Sequence, residues 1–135
     1  MCLALPVLPE IGMVGATEAD LKANKVPFEF GIGRFGELER GKIIGDRLGV
    51  LKLLFHRNTL QLLGVHIIGE GATELVHIGQ TVMGFQGGLD YFVHAVFNYP
   101  TLAQVYKTAA LDGWNKIIAS EGLPDEAPPI EMEIH

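Results

Sequence analysis

The chain reads as an α+β domain, an antiparallel β-sheet flanked by helices, and three observations predict it. Phe28, Phe30 and Ile32 alternate with Glu29 and Gly31, the period of two expected of a half-buried strand. Two denser apolar runs, Gly49 to His56 and Gln61 to Ile68, flank Arg57-Asn58-Thr59-Leu60 in the manner of a β-hairpin. From Gly71 the period turns helical, with Ala72, Leu75, Val76, Ile78, Val82 and Met83 forming a stripe wider than one buried face requires, which predicts a helix packed on two sides.

The remaining elements follow in order. Leu3 to Val14 reads as an extended lead-in, broken by Pro6 and Pro9 and closed by Gly15. Thr17 offers an N-cap oxygen and Asp20 sits at N3, a capping-box arrangement that opens a helix of about two turns ending before Pro27. After the long helical stripe, Gln86-Gly87-Gly88 breaks the period, and Tyr91, Phe92, Val96, Phe97 and Tyr99 concentrate aromatic bulk in a linking stretch. A last helix starts at Thr101, with Gln104 completing a T-x-x-Q box, and runs through Leu102, Val105, Tyr106, Ala109 and Ile117, weakened near its end by Gly113. Residues 1–119 are assigned to one domain, because a domain takes roughly 100–150 residues. Residues 120–135, with Pro124, Pro128, Pro129 and five acids, read as an acidic, mobile tail.

Composition excludes several function classes. That tail holds Glu121, Asp125, Glu126, Glu131 and Glu133 and no base, which leaves 11 acids and 10 bases in the body and no basic stripe to displace counterions from nucleic acid. Cys2 is the only cysteine, so the chain holds no disulfide, redox pair or thiolate metal cage, which suits the cytoplasm. Met1-Cys-Leu-Ala-Leu-Pro lacks the basic start of a signal peptide, and no apolar run approaches the roughly 18 residues of a membrane span. A mean hydropathy of +0.27 is high for so small a chain and predicts apolar surface that meets a partner.

The chemistry-bearing motifs are weak. Gly31-Ile-Gly33-Arg-Phe-Gly36 fits G-x-G-x-x-G, but Gly41 and Gly45 interrupt the helix that a dinucleotide site needs, and Asp46 comes too early to reach a ribose. A bend or bulge in a strand accounts for these glycines. Glu74 and His77 form the E-x-x-H half of a di-iron site, with Glu70 able to extend the same face, but the chain has no second copy. His66 reads as a packed sheet residue, His56 and His94 have no evident partner, and no G-x-S-x-G elbow occurs.

Four segments in order carry a resemblance: Pro9-Glu-Ile-Gly-Met-Val-Gly15, Leu63-Gly-Val-His-Ile-Ile-Gly69, Gly71-Ala-Thr-Glu-Leu75 and Phe97-Asn-Tyr-Pro-Thr101. Together, from about Pro9 to Ile117, the chain resembles the dimerisation domain of the pyridine nucleotide-disulfide oxidoreductase family. Disulfide reductases of that family carry a histidine before Pro-Thr and a glutamate after it, where this chain has Tyr99 and Gln104. A phenol that keeps its proton at neutral pH is a poor replacement for an imidazole acid/base. The Phe-Asn-Tyr-Pro-Thr run resembles instead the soluble NAD(P) transhydrogenase branch, where hydride passes between nicotinamides through FAD without a thiol partner.

The resemblance implies a homodimer in which each domain completes the flavin site of the other subunit. Tyr99 and Pro100 would lie near the ring system, with a cis Tyr99-Pro100 bond accessible. Leu75, Ile78, Val82, Phe92, Phe97, Tyr99 and Leu102 would form the contact between copies. FAD and NAD(P) belong to the full-length enzyme, and the isolated chain holds no cofactor, no metal site and no catalytic residue. Two rival readings stay open: a dimerisation domain from a dihydrolipoamide dehydrogenase-like or metal-ion reductase that lost its histidine, and a free-standing adaptor.

Overall fold

In the computed structural model, which describes residues 2–5 and 9–121, five strands pair into a single antiparallel sheet. They are β1 (Cys2–Leu5), β2 (Ile11–Gly15), β3 (Phe28–Arg34), β4 (Val50–His56) and β5 (Leu62–Ile68), lying side by side in the order β1-β2-β5-β4-β3. The expected hairpin is β4–β5, with Leu51 opposite Ile67 and Leu53 opposite Val65. His56 fixes its turn, since Nδ1 accepts the N–H groups of Asn58 and Thr59 at 3.2 Å. The extended lead-in is in fact two strands, β1 folding back on β2 with Cys2 opposite Val14.

Among the described residues five α-helices complete the fold: α1 (Glu18–Ala23), α2 (Glu39–Ile44), α3 (Ala72–Gly84), α4 (Leu89–His94) and α5 (Val105–Glu121). The Thr17 box opens α1 as expected, with Thr17 N–H donating to Asp20 Oδ2 at 2.9 Å and Asp20 N–H donating to Thr17 Oγ1 at 3.2 Å. The aromatic stretch after Gly88 coils into α4, because Leu89 and Phe92 share a face that the core can bury. Gly41 does not break α2 but sits inside it, and Gly45 ends the helix in the left-handed conformation that glycine adopts most readily. The assigned tail begins two residues too early, since α5 runs to Glu121; residues 122–135 lie outside the described residues.

α3 lies across β2 and β5, and α5 lies across β3 and β4, on one face of the sheet. Leu51, Leu53, Phe55, Val65 and Ile67 fill the sheet side of this core, and Val76, Val105, Tyr106 and Ala109 fill the helix side. An irregularity at Leu54/Phe55 in the β4–β5 register lets three consecutive residues, Leu53, Leu54 and Phe55, all be buried. The second face is covered only in part, by α1, whose Leu21 is buried. Glu18 of α1 is ion-paired with Lys52 of β4, and His66 Nε2 bonds to the Ala16 carbonyl at 3.0 Å, so His66 is a sheet residue as expected.

The glycines of β3 correct the bend-or-bulge expectation. Gly31 and Gly33 are buried within a regular strand, and each lies directly under the α5 backbone. A Cβ at Gly33 would stand 2.6 Å from the Val105 carbonyl oxygen, and one at Gly31 would run into the carbonyl of Ala109. Gly113 is not a weak point of α5 for the same reason: its missing side chain makes room for the Phe55 ring, whose Cε1 would be 2.5 Å from an added Cβ. Gly31→Ala is therefore expected to cost about 1–3 kcal/mol through overpacking against backbone that cannot give way. Gly84→Ala, at a helical position with nothing within 4 Å of an added Cβ, is expected to be neutral or to stabilise by up to about 1 kcal/mol. Thermal unfolding of the two variants checks both signs.

Candidate functional site

The residues that sequence places together at a candidate site fall on α3 (Leu75, Ile78, Val82), on α4 (Phe92) and on the loop and first turn that lead into α5 (Phe97, Tyr99, Pro100, Leu102). Tyr106 joins them. Its hydroxyl donates to the Leu75 carbonyl at 2.6 Å and accepts the Gly79 N–H at 3.0 Å, two groups that an unbroken α-helix would pair with each other. Gly79 leaves space for that oxygen, which would lie 3.1 Å from an added Cβ. The Tyr106 ring is wholly buried and stacks on Phe92 at 4.9 Å between centroids. Burial holds its phenol proton far more tightly than in water, against the opposing effect of the Gly79 N–H.

The loop from Ala95 to Thr101 is braced at three backbone groups. Lys107 Nζ donates to the Ala95 carbonyl at 3.1 Å, Thr101 Oγ1 donates to the Asn98 carbonyl at 2.7 Å, and Gln104 Oε1 accepts the Thr101 N–H at 3.4 Å. The last of these is the expected Gln104 half of the T-x-x-Q box, although the first turn after Thr101, Leu102–Gln104, is 3₁₀. The Tyr99–Pro100 bond is cis, as the resemblance implied. Tyr99 is 70% exposed and Val96 95% exposed, so a backbone pinned from below presents apolar and aromatic groups outward. A shallow groove of about 280 Å³ runs beside the loop, lined by Leu38, Val96, Phe97, Gln104, Lys107 and Leu111. Tyr99 is the only ionisable side chain from Ala95 to Gln104.

Two of the expected contact residues are corrected. Phe92 is fully enclosed, because α4 turns it inward onto Tyr106, and Val82 is buried on the inner side of α3. Neither has surface left for a second copy. The α3 stripe also does not present two apolar sides: Glu74, His77, Gln80 and Thr81 are exposed on its outer face. Leu75, Ile78, Phe97 and Leu102 are half-buried, with Leu75 and Leu102 flanking Gly71, so these and Tyr99 retain accessible surface. Among the described residues no group of three or more His, Cys, Asp or Glu converges as metal ligands, and His77 Nδ1 bonds to Gln80 Oε1 at 2.9 Å. His94, for which sequence offered no partner, bonds through Nδ1 to the Asp90 carbonyl at 2.9 Å. Sequence reasoning read Tyr106 only as core and missed Lys107; a buried tyrosine needs a partner for its hydroxyl, and that requirement was the available signal.

The sheet, its helical layer and the braced loop define an α+β module whose chemistry-bearing groups lie on its surface. Residues 6–110 match the pyridine nucleotide-disulphide oxidoreductase dimerisation domain, and the chain belongs to that family. Within it, the chain is 55% identical over 112 residues to the soluble pyridine nucleotide transhydrogenase of Mycobacterium tuberculosis (strain ATCC 25177 / H37Ra), covering 83% of this chain and 24% of that one. The soluble pyridine nucleotide transhydrogenase of Hahella chejuensis is 53% identical over 113 residues, covering 82% and 24%. The chain thus spans about a quarter of the length of these curated relatives. Solved structures with the same fold include LpdA from Mycobacterium tuberculosis, with a TM-score of 0.77 at 21% identity over 82% of this chain and 24% of that one. The HOCl-induced flavoprotein disulfide reductase RclA from Escherichia coli also scores 0.77, at 18% identity over 82% and 26%.

Tyr106→Phe keeps the ring and removes the hydroxyl, leaving the Leu75 carbonyl and the Gly79 N–H short of a partner, and is expected to cost about 1–3 kcal/mol. The folded phenol ionises above its ordinary value of 10.0, so its contribution is complete below about pH 10 and is lost as pH rises beyond that. Chemical denaturation at neutral and alkaline pH should therefore show a steeper alkaline loss in the parent chain than in Tyr106→Phe.

Proposed function

We propose that this chain is the dimer-forming part of a transhydrogenase-like flavoenzyme, associating with a second copy and closing the partner subunit's flavin site with its Ala95–Thr101 loop. The observation that carries the reading is that loop, rigidly braced by Lys107, Thr101 and Gln104 and yet exposing Tyr99 and Val96. The Tyr99 main chain and Pro100 would lie against the ring system held by the other subunit. Leu75, Ile78, Phe97, Tyr99 and Leu102 supply the apolar and aromatic centre that a two-fold contact requires.

The residues present fit a covering role toward FAD and no more. Gly31 and Gly33 of the glycine-rich run are buried under the α5 backbone, where a pyrophosphate has no room. When bound, FAD supplies a carrier that takes hydride from one nicotinamide and gives it to another. This chain would fix the geometry and exclude water. It would not hold a reacting proton, because Gln104 and Tyr99 stand where the reductases have glutamate and histidine. Transfer between NADPH and NAD, a cytoplasmic location and the absence of activity in the chain alone complete the proposal. The 50–55% identities to proteins named soluble pyridine nucleotide transhydrogenase favour this reading over a reductase or an adaptor.

Sedimentation equilibrium is expected to give a dimer at high micromolar concentration, and Ile78→Glu to weaken it at least about tenfold by placing a charge in the contact. A wild-type chain that stays monomeric, or a folded Ile78→Glu chain that dimerises normally, would overturn the proposed interface.

A further inference from the structure

β3 stands at one edge of the sheet, with β4 on its inner side and no described strand beyond it. An edge strand offers unpaired N–H and C=O groups on which a strand from another chain can add. On β3 the central groups of this kind are already engaged by side chains. The Ile32 N–H donates to Asp112 Oδ2 at 2.9 Å, the Phe30 carbonyl accepts from Lys116 Nζ at 3.0 Å, and the Phe30 N–H donates to Glu29 Oε1 at 3.0 Å.

Asp112 and Lys116 are one turn apart on α5 and pair with each other at 2.9 Å. Gly31 faces α5, so by alternation the Phe30 ring is on the opposite face of the sheet. Lys116 Nζ nevertheless lies 3.8 Å from the centroid of that ring, which means the side chain passes around the strand edge. Its ammonium is matched by a carboxylate, a carbonyl and an aromatic face. Burial raises the affinity of Asp112 for its proton, but the Ile32 N–H, Lys116 and the charge of Arg34 outweigh it, so the acceptor is a carboxylate at neutral pH. At one end of the strand Glu29 is paired with Arg57 at 3.3 Å, and Arg57 donates to Ser120 Oγ at 2.6 Å, fastening the end of α5.

We propose that Asp112 and Lys116 form a side-chain seal on the open edge of β3, which denies that strand to a second copy. An incoming strand would have to displace a satisfied ion pair to reach the Phe30 carbonyl and the Ile32 N–H. The seal does not depend on the flavoenzyme reading, since it concerns which surface is closed.

The test is the full chain with both residues removed (Asp112→Ala, Lys116→Ala), beside Asp112→Asn, which keeps an acceptor, and Asn115→Ala, an exposed neighbour on the same helix. Circular dichroism reports folding, sedimentation velocity over a concentration series reports size, and the infrared amide I band reports intermolecular strand pairing. The double variant is expected to form larger species that grow with concentration and carry the intermolecular β signal, and the two controls to keep the parent distribution. A folded double variant with the parent distribution overturns the seal. Should the double variant not fold, amide exchange in the parent chain decides: Ile32 N–H slowed at least about tenfold supports the proposal, and exchange at the free-amide rate overturns it.

Discussion

The structure depends on how closely α5 lies on β3. Two strand glycines and one helix glycine let a helix backbone rest on a strand backbone, and every later feature inherits that spacing. It brings Val105, Tyr106 and Ala109 down to the sheet, which puts the Tyr106 hydroxyl within reach of α3. It also brings Asp112 and Lys116 to the strand edge, where a longer helix-to-sheet distance would leave them in solvent. Close packing of this kind is stiff, because backbone atoms cannot change rotamer to relieve a clash.

From that contact the surface loop gains its rigidity. α5 carries Tyr106 inward and Lys107 toward the Ala95 carbonyl, so adjacent residues of one helix clamp α3 from one side and the Ala95–Thr101 loop from the other. Gln104 closes the loop at the helix start. In the proposed flavin-covering role the loop would gain from being ordered before a second subunit arrives, since ordering it on contact would cost affinity. The bracing comes from buried or half-buried groups of the chain's own core, which is what a preorganised lid requires.

The architecture was legible in the sequence because its periods are clean: the Phe28–Ile32 alternation, the β4–β5 hairpin, the Thr17 and Thr101 starts. The missed features share a cause. Gly31 and Gly33 read locally as a G-x-G-x-x-G match or a bend and Gly113 as a weak point, and their purpose appears only when α5, some 80 positions further along the chain in the case of the Ile32–Asp112 bond, is laid over them. Phe92 and Val82 were read as surface because apolar content says how much must be covered and not which side covers it. Once α4 coils, Phe92 faces Tyr106, and Tyr91, Val96 and Tyr99 are the apolar groups left exposed in this stretch. At the candidate site Tyr99 and Pro100 were readable through the Phe97–Thr101 motif, whereas Lys107, which braces the same loop, has no local signature.

The closed edge and the open loop bear on each other. A sheet with a free edge and an exposed aromatic loop has two routes to association, and only one of them leads to a closed pair; strand addition at an edge can continue without limit. By engaging Ile32 and Phe30 with Asp112 and Lys116, the chain closes the β3 edge to that open-ended route at small cost, because both side chains come from the helix that the core already holds in place. Apolar surface at Val96, Tyr99 and the half-buried Leu75 and Ile78 can then meet its match without competition from the β3 backbone. Specificity here comes as much from the interface that is blocked as from the one that is offered.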